Sequence, residues 1–390
     1  MLRYLTLGVV LPPIVQRIIP QANGQKEIRQ MAAKNVLYVC NTYYQLIVAS
    51  QIALTIHSNE HNHLMLTDHS QGAREIAARC SKESLYDSVH FKETKHLYSP
   101  KSSLWSKTRM FLNENFGSID SISDIKFDEV FFYNYHAQIY GIADGLWKNK
   151  RQAEFHRFEE SMTSCSVNHS HAPAGRMKLA EKVRLVTGRP RVSQLISDFY
   201  CFLPELCDEP FPLDLKKIPS LEQTKQVLVP FLKRVFQFDV FPYRQKYIFL
   251  ASSSDIDDKG FGETRLILDL AERIGAENLL VKMHPRDDRK VYEKAGIQVM
   301  RDFQAPWEII QLSENLSDRT LLTATSSSIL TMSALMKRQP QSYYVIPTQM
   351  SRREKDNWSS VMNGVLDIVS RLHGMSLAGN IAVVSQEDII

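Results

Sequence analysis

Short apolar runs alternate along the chain with longer segments of helical spacing, and this alternation constrains the fold more than any other feature. NVLYVC at 35–40 precedes NTYYQLIVASQIAL, whose apolar residues recur at the spacing of one helix face. HLMLT at 63–67 and EVFFY at 129–133 are further patterns of buried strands, and a second helical stretch follows Tyr135. Strands that alternate with helices predict a parallel, doubly wound sheet.

The same rhythm returns after Tyr247 and predicts a second sheet. YIFLAS, NLLVKM, IQVM, TLLTA and SYYVI have strand character, and FGETRLILDLAERI between the first two has helical spacing. Between the two halves, six prolines interrupt the chain, as in a linker with one or two short helices: Pro204, Pro210, Pro212, Pro219, Pro230 and Pro242. We therefore expect an α/β protein with two Rossmann-like domains and a cleft between them.

These patterns predict the boundaries of the domains. Residues 35–225 form an N-terminal domain, 226–245 a linker and 246–390 a C-terminal domain, and 1–34 precede them as a leader. An apolar stretch at 5–15 is broken by two prolines and is too short to span a bilayer as a helix. A flexible or membrane-touching leader, or an upstream start, is favoured over a cleaved signal peptide, which would have a similar charged start and short apolar core.

Composition narrows the class of protein. The 390 residues are 44% hydrophobic and 23% charged, as in a globular protein. The net charge of +4 argues against a nucleic-acid binder and leaves an anionic substrate or membrane surface open. The cysteines are odd in number and scattered without a CxxC pair: Cys40, Cys80, Cys165, Cys201 and Cys207. This pattern predicts reduced thiols in a cytosolic protein, and without zinc-ligand spacing or HExxH we expect no structural metal.

Polar residues follow three of the C-terminal strand patterns. Asp255 comes shortly after the first strand, His284 directly follows the second, and Ser326, Ser327 and Ser328 lie between TLLTA and an apolar helix. In open parallel sheets, ligands bind beyond the carboxyl ends of the strands, so we expect Asp255 and His284 to face one cleft edge. Hydroxyls and backbone N–H groups at a helix start suit a single phosphate, whereas GxxxxGK[ST] and GxGxxG do not occur in the sequence.

These residues also have structural interpretations. Serines before a helix are usually caps, and His-Pro often ends a strand. Asp255 has the alternative role of a turn residue, and Asp257 and Asp258 beside it are rivals for any role in chemistry. The coincidence of three such strand ends in one half of the chain favours a functional site.

From about Asn35 onward, these residues resemble those of bacterial sialyltransferases, particularly glycosyltransferase family 52, which makes sialylated lipooligosaccharide and capsule. The resemblance implies a GT-B fold, the donor CMP-sialic acid and no required metal ion. It assigns Asp255 in ASSSD as the catalytic base. It also matches His284 and Pro285 to the family's HP motif, whose histidine contacts the donor phosphate and acts as the general acid.

The resemblance extends to the residues that would hold nucleotide and acceptor. Ser326, Ser327 and Ser328 match the family's serine/threonine motif for the donor phosphate. Glu308 in APWEII resembles the acidic residue that holds the nucleotide ribose. NTYYQL, which begins at Asn41, resembles the segment that opens the acceptor side of the cleft.

FEESMTSC at 158–165 resembles the family's acidic-acidic-glycine motif, with one departure. Glu159 and Glu160 occupy the acidic positions, but Ser161 replaces the glycine and Thr163 stands where a second small residue is expected. A glycine there would permit positive φ or close approach of a ligand, so the serine puts the donor-side geometry in question. Without the resemblance, solvated charges explain the two glutamates equally well.

The resemblance implies an inverting sialyltransferase. Asp255 would take the proton from an acceptor hydroxyl, and His284 would stabilise or protonate the departing phosphate. The expected acceptor is a terminal galactoside of lipooligosaccharide or capsule, with an α-2,3 linkage. Two alternatives stay open: a CDP-glycerol-type glycerophosphotransferase, which also combines an HP motif with serines, and a non-catalytic nucleotide-sugar-binding protein.

Segment 175–191, GRMKLAEKVRLVTGRPR, is the part of the sequence that suggests contact with a membrane surface. It has six basic residues and one acid, and its apolar positions Met177, Leu179, Val183 and Val186 are predicted to form one stripe. A basic amphipathic helix of this kind rests on anionic lipid, although a plain surface helix has the same pattern. We expect a cytoplasmic protein, with peripheral contact at the inner face of the cell membrane and a homodimer as open options.

Overall fold

The computed structural model describes residues 32–94, 119, 122, 124–166, 172–252, 255, 260–284, 287–301, 305–336 and 340–389. Most of the predicted leader lies outside the described residues, as do Asp257, Asp258 and Pro285.

The first half of the described chain is built on seven strands. They are β1 (Asn35–Cys40), β2 (His61–Thr67), β3 (Ser88–Lys92), β4 (Glu129–Phe132), β5 (Glu154–Phe158), β6 (Ile196–Cys201) and β7 (Asp214–Lys217). Helices of this half are α1 (Tyr43–Thr55), α2 (Ala73–Cys80), α3 (Ala137–Lys148) and α4 (Gly175–Val186). Helix α5 (Lys225–Phe236) follows, so the predicted linker includes most of a helix.

The described residues of the second half form six strands. They are β8 (Tyr247–Leu250), β9 (Leu279–Lys282), β10 (Gln298–Met300), β11 (Thr320–Thr323), β12 (Gln341–Ile346) and β13 (Ile381–Ser385). The helices are α6 (Glu263–Ile274), α7 (Val291–Lys294), α8 (Trp307–Ser313), α9 (Ser328–Leu335) and α10 (Arg352–Gly374).

The two sheets share one topology. Their orders are β3-β2-β1-β4-β5-β6-β7 and β10-β9-β8-β11-β12-β13, and neighbouring strands such as β8 and β9 or β8 and β11 are parallel. Each order contains 3-2-1-4-5-6, the Rossmann arrangement. The predicted fold class, two Rossmann-like domains of the GT-B type, is confirmed. The strand order reverses between β1 and β4 and between β8 and β11, and ligands bind at such reversals.

Helix α6 positions the loop that carries Asp255. Gly262 before it and Gly275 after it have φ of +83° and +86°, a region that glycine adopts without steric cost. Between them, Leu266, Ile267 and Leu270 lie on one face, are at most 1% exposed and pack with the strands of the second sheet. Burial of each such side chain contributes about 1.5–3 kcal/mol and fixes the helix against the sheet.

Helix α4 does not have the single apolar stripe predicted for it. Met177 packs against the core of the first half, whereas Leu179 and Val186 are 53% and 87% exposed. Its buried face includes polar residues, and Glu181 accepts a hydrogen bond of 2.9 Å from Tyr140 Oη. The stripe prediction is wrong because this face is stabilised by buried polar contacts. Among the described residues, no helix is long and apolar enough to cross a bilayer.

Helix α10 connects the second sheet back to the first half. Near its end, Arg371 donates from Nη1 to the carbonyl oxygen of Leu206 (2.7 Å) and pairs with Asp208 Oδ1 (2.6 Å). The described halves are therefore joined by the chain through α5, by this contact at the end of α10 and by apolar packing, because one buried cluster includes Met162 of the first half and Met362 of α10.

Candidate active site

A cleft of about 800 Å³ lies between the carboxyl ends of the two sheets. Its first-half wall includes Tyr43 and Tyr44 at the start of α1 and residues 69–71 after β2. Its second-half wall includes Lys282, His284, Glu308, Ser326 and Ser328. Four residues predicted for the donor site thus line one wall.

The serine cluster reaches the cleft because β11 ends just before it. Thr323 Oγ1 donates to the carbonyl oxygen at the end of β8 (2.9 Å) and accepts from Ser326 N (2.9 Å). Tyr344 Oη also donates to the carbonyl oxygen of Ser326 (2.9 Å). Helix α9 then begins at Ser328, and its N-cap residue Ser327 makes no side-chain cap hydrogen bond and does not line the cleft. The start of α9 therefore presents partial positive charge to the cleft.

The end of β9 adds a cation and an imidazole. Lys282 is the last residue of β9, and His284 follows two residues later in a turn closed by a hydrogen bond from Asp287 N to His284 O (2.9 Å). Burial lowers the pKa of Lys282, and the charge of Glu308 in the first turn of α8 opposes that shift. Lys282 was missed from the sequence, although it lies two residues before the histidine in KMHP.

The carboxylate of Asp255 is bonded to the first turn of α6. Its Oδ2 accepts from Thr264 N and Thr264 Oγ1, both at 2.7 Å, and its Oδ1 accepts from Glu263 N at 3.3 Å. A Cβ at Gly260 would lie 3.0 Å from Oδ1, so Gly260 packs closely against the carboxylate. Asp255 thus stabilises the helix start, and, unlike His284, it is not among the residues that line the cleft.

Hydrogen bonds connect the loops that follow β8 and β9. Thr264 Oγ1, which donates to Asp255, accepts from Arg289 Nη1 at 3.4 Å. Arg289 in turn makes a two-point ion pair with Asp287, at 2.9 and 2.7 Å. The two loops are therefore linked, as expected for neighbouring parallel strands, through α6 and Arg289.

Glu263 is a buried acid that the sequence did not single out. It is 2% exposed, and its Oε2 accepts from Ser252 N (2.9 Å) and Ser252 Oγ (3.0 Å). Its Oε1 is buried without a hydrogen-bond partner within the described part of the chain. Burial raises the pKa of Glu263 to about 8, so the carboxyl is mostly protonated at neutral pH.

The equivalent helix start in the first half is capped by its own side chains. Thr42 Oγ1 accepts from Gln45 N (3.2 Å), and Gln45 Oε1 accepts from the N–H groups of Asn41 (2.6 Å) and Thr42 (3.4 Å). The buried side chain of Asn41 accepts from Thr67 Oγ1 (2.8 Å) and Gln138 Nε2 (3.0 Å). Asn41 therefore links β1, β2 and α3.

Glu159 and Glu160, at the end of β5, are not solvated charges. Glu159 is 1% exposed, accepts from Phe202 N (3.0 Å) and receives a hydrogen bond from the hydroxyl of Tyr44. Glu160 Oε1 accepts from Gln45 Nε2 (3.2 Å). Burial raises the pKa of each carboxyl to about 7. The pair supports the start of α1, and Tyr44 connects it to the cleft.

Ser161 lies in backbone that any residue adopts. Its φ is −168°, and it precedes the 3₁₀ turn Met162–Cys165. Its N–H donates to Ser164 Oγ (3.2 Å), and its hydroxyl lies 2.6 Å from Thr163 Oγ1. No positive φ is required at this position, so the serine introduces no backbone strain.

A second cavity, also of about 800 Å³, lies at the opposite edge of the first sheet. It is lined by residues at strand starts, such as Lys34 and Glu154, and by Trp147 and Arg151 near the end of α3. None of the predicted site residues lines it. Because ligands of open parallel sheets bind at the carboxyl ends, we take the cleft between the halves as the candidate active site.

No protein-family model matches the sequence, and no curated protein is significantly similar to it. Among solved structures, MurG of Acinetobacter baumannii is 9% identical over 92% of this chain and 87% of its own, with a TM-score of 0.45. The UDP-GlcNAc 2-epimerase of Methanocaldococcus jannaschii is 12% identical over 90% of this chain and 89% of its own, with a TM-score of 0.47. The Neisseria meningitidis UDP-GlcNAc 2-epimerase, solved with UDP-GlcNAc, is 12% identical over 90% and 95%, with a TM-score of 0.44. These are distant likenesses of the overall fold.

Proposed function

We propose that this chain is an inverting, nucleotide-sugar-dependent glycosyltransferase, and specifically a sialyltransferase that uses CMP-sialic acid. The observation that carries the proposal is the convergence of Ser326, Ser328, His284 and Lys282 on one cleft wall. The acceptor in this proposal is a terminal galactoside of lipooligosaccharide or capsule, joined in an α-2,3 linkage.

The chemistry of this wall suits one phosphate. The start of α9, where Ser327 makes no side-chain cap, offers backbone N–H groups and partial positive charge, and the serine hydroxyls are further donors. Lys282 supplies an amine whose positive charge burial disfavours and Glu308 favours, and His284 supplies an imidazole that donates a proton to a leaving phosphate. Glu308, on the same wall, is placed to accept hydrogen bonds from ribose hydroxyls.

The two helix starts support a donor on the second half and an acceptor on the first. At the start of α1, the Gln45 amide already satisfies backbone N–H groups that a phosphate would need. At the start of α9, Ser327 provides no such cap, and within the described residues the one side-chain bond there is the long one from Ser328 N to Ser326 Oγ, at 3.4 Å. The aromatic residues Tyr43 and Tyr44 instead give the first-half wall flat surfaces suited to sugar rings.

Asp255 is the base in this proposal. A carboxylate has about four lone-pair sites, and Asp255 uses three of them for Glu263 N, Thr264 N and Thr264 Oγ1. Within the described residues, one site remains for the acceptor hydroxyl, which attacks the anomeric carbon as CMP leaves from the opposite face. These hydrogen bonds hold the carboxylate in one orientation.

The deciding experiment offers the purified protein CMP-sialic acid or CDP-glycerol, each with a galactoside acceptor and with a teichoic-acid type acceptor, and measures donor consumption. Formation of sialylated galactoside supports the proposal. Consumption of CDP-glycerol alone would identify a glycerophosphotransferase. CMP binding without consumption of either donor would identify a non-catalytic nucleotide-sugar-binding protein.

Contact with the inner face of the cell membrane is a further part of the proposal. Helix α4 exposes Leu185 (61%) and Val186 (87%) next to basic residues that include Lys178 and Lys182. Apolar side chains among lysines favour anionic lipid surfaces. Sedimentation with anionic and neutral vesicles tests this contact, and equal binding to both would contradict it. The homodimer stays a prediction.

A further inference from the structure

Three of the five cysteines, Cys165 and the nearby pair Cys201 and Cys207, meet in the core of the first half. Cys165 ends the 3₁₀ turn after β5, Cys201 is the last residue of β6, and Cys207 follows a second 3₁₀ turn, Pro204–Leu206. Their sulfur atoms all lie within 4.8 Å of one another, and those of Cys201 and Cys207 are 3.9 Å apart. None of the three forms a disulfide. Their spacing in the sequence, from which we expected no structural metal, does not reveal this proximity.

The sulfur spacing suits a shared cation. Metal–sulfur bonds of about 2.3 Å place two ligand sulfurs about 3.8 Å apart in a tetrahedron and about 4.0 Å apart in a trigonal plane. The 3.9 Å between Cys201 and Cys207 lies between these two values. A sulfur pair at the 4.8 Å limit would need to close by about 1 Å. A disulfide, with sulfurs about 2.05 Å apart, would need a far larger movement.

Backbone hydrogen bonds hold the three positions in place. Asp208 N donates to the carbonyl oxygen of Cys165 (3.0 Å), Ile218 N to that of Cys201 (2.8 Å), and Cys207 N to that of Pro204 (3.0 Å). Arg371 at the end of α10 adds its bonds to the carbonyl oxygen of Leu206 and to Asp208. The ligand atoms are therefore carried by fixed backbone, as in a preformed site.

The three cysteines are buried, so their surroundings exclude water from the sulfur atoms. Cys165, Cys201 and Cys207 are 2%, 0% and 7% exposed. Three thiolates around a divalent cation would leave one net negative charge, and the Arg371 guanidinium bonded at residues 206–208 is positioned to offset it.

We propose that Cys165, Cys201 and Cys207 bind a thiophilic d¹⁰ cation, Zn²⁺ or Cu⁺, as a structural site. Thiolate ligands select these ions over hard cations such as Mg²⁺ and Ca²⁺. The site joins the loops that follow β5 and β6 and lies beside Glu159, whose carboxyl is bonded to Tyr44 of the cleft wall. The cation would thus stabilise the proposed acceptor side without contacting substrate, and its presence does not depend on the identity of the donor.

The test measures metal content and binding in the full-length protein, purified and titrated under reducing, anaerobic conditions. The parent is expected to bind one equivalent of Zn²⁺ or Cu⁺ in competition with a chromophoric chelator, and the two separate titrations identify the ion. Cys201→Ser should bind at least about a hundredfold more weakly, because one of three ligands is lost. Cys80→Ser is the matched control, a buried thiol outside the cluster, and should bind like the parent.

Two further readouts keep the test decisive if Cys201→Ser does not fold. Co²⁺ added to the parent and to Cys80→Ser should give thiolate-to-cobalt charge-transfer absorption, and chelation should lower the melting temperature of the loaded parent. Absence of stoichiometric binding to the parent would overturn the proposal. Equal binding to folded Cys201→Ser, or a Cys201–Cys207 disulfide in the metal-free parent, would overturn it as well.

Discussion

Asp255 has a structural role and a proposed catalytic role, and the substitution Asp255→Asn separates them. Asparagine keeps one side-chain oxygen, which can still accept from Thr264 N and Thr264 Oγ1, the two 2.7 Å bonds of the native carboxylate. It loses the charge of the acceptor, and its amide group faces Glu263 N, whose bond to Asp255 is the longer one at 3.3 Å. The capping role is therefore weakened but not abolished.

The size of each effect follows from these contacts. A hydrogen bond to a charged group is worth about 1.5–3 kcal/mol and one to a neutral group about 0.5–1.5 kcal/mol. Two bonds that lose charge assistance, with the weakened helix-dipole interaction, reduce the free energy of unfolding by about 2–3 kcal/mol. Loss of a general base reduces the rate of transfer about 10²–10⁴-fold. Asp255→Asn should thus remain folded and bind CMP, yet transfer at most about 1% of the parental rate.

The assay measures sialyl transfer, CMP affinity and urea unfolding for parent, Asp255→Asn and a control. Asp269→Asn is the control because Asp269 lies on the same helix, accepts a hydrogen bond from Gln386 Nε2 (3.2 Å) and is remote from the cleft lining. It should transfer like the parent. If Asp255→Asn keeps transfer within about tenfold of the parent while losing the expected stability, Asp255 is a helix cap and the base is another residue.

Three further predictions follow from the same contacts. Replacement of Ser326 and Ser328 by alanine should weaken CMP binding by about tenfold or more, because each hydrogen bond to a phosphate is worth about 1.5–3 kcal/mol. Ser327→Ala is the control and should leave the affinity measured by calorimetry unchanged. Equal effects of the two changes would contradict the phosphate assignment. The pKa of Glu263 is raised from 4.5 to about 8, so the folded protein holds a proton that the unfolded chain releases between these pH values. The contribution of this carboxyl to the free energy of unfolding is therefore complete below pH 4.5 and is lost as pH rises to 8. In urea titrations, the free energy of unfolding of Glu263→Gln should therefore rise relative to that of the parent by about 1.4 kcal/mol per pH unit between pH 5 and 8. A difference that does not change with pH would refute this. Ser161→Gly should lower the free energy of unfolding by about 0.5–1 kcal/mol through backbone entropy without raising transfer, and a faster variant would show that the glycine matters for turnover.

Local patterns were enough to predict most of the fold that positions the cleft. β1 at Asn35–Cys40 and β4 at Glu129–Phe132 were predicted because compact apolar runs specify buried strands directly. β7 at Asp214–Lys217 was missed, since DLKK has one apolar residue and three of its four residues are exposed at a sheet edge. An edge strand is specified by backbone pairing with its neighbour, which no short sequence window records.

The candidate site was predictable where its residues follow strand ends, as for His284, Ser326 and Ser328. The site was not predictable where burial determines the pKa of a residue, as for Glu263, because the sequence alone does not distinguish a buried glutamate from an exposed one. The capping role of Gln45 had a local signal, the T-x-x-Q of a capping box, but that segment was interpreted through its resemblance to an acceptor site. Proximity of distant cysteines has no local signal at all.

The packing between the halves has a mechanical consequence. Buried residues of both halves belong to one apolar cluster, and Arg371 at the end of α10 also binds Leu206 and Asp208. A movement of one sheet relative to the other would have to disturb this shared packing or break the Arg371 contacts. The width of the cleft is therefore coupled to the stability of the interface between the halves.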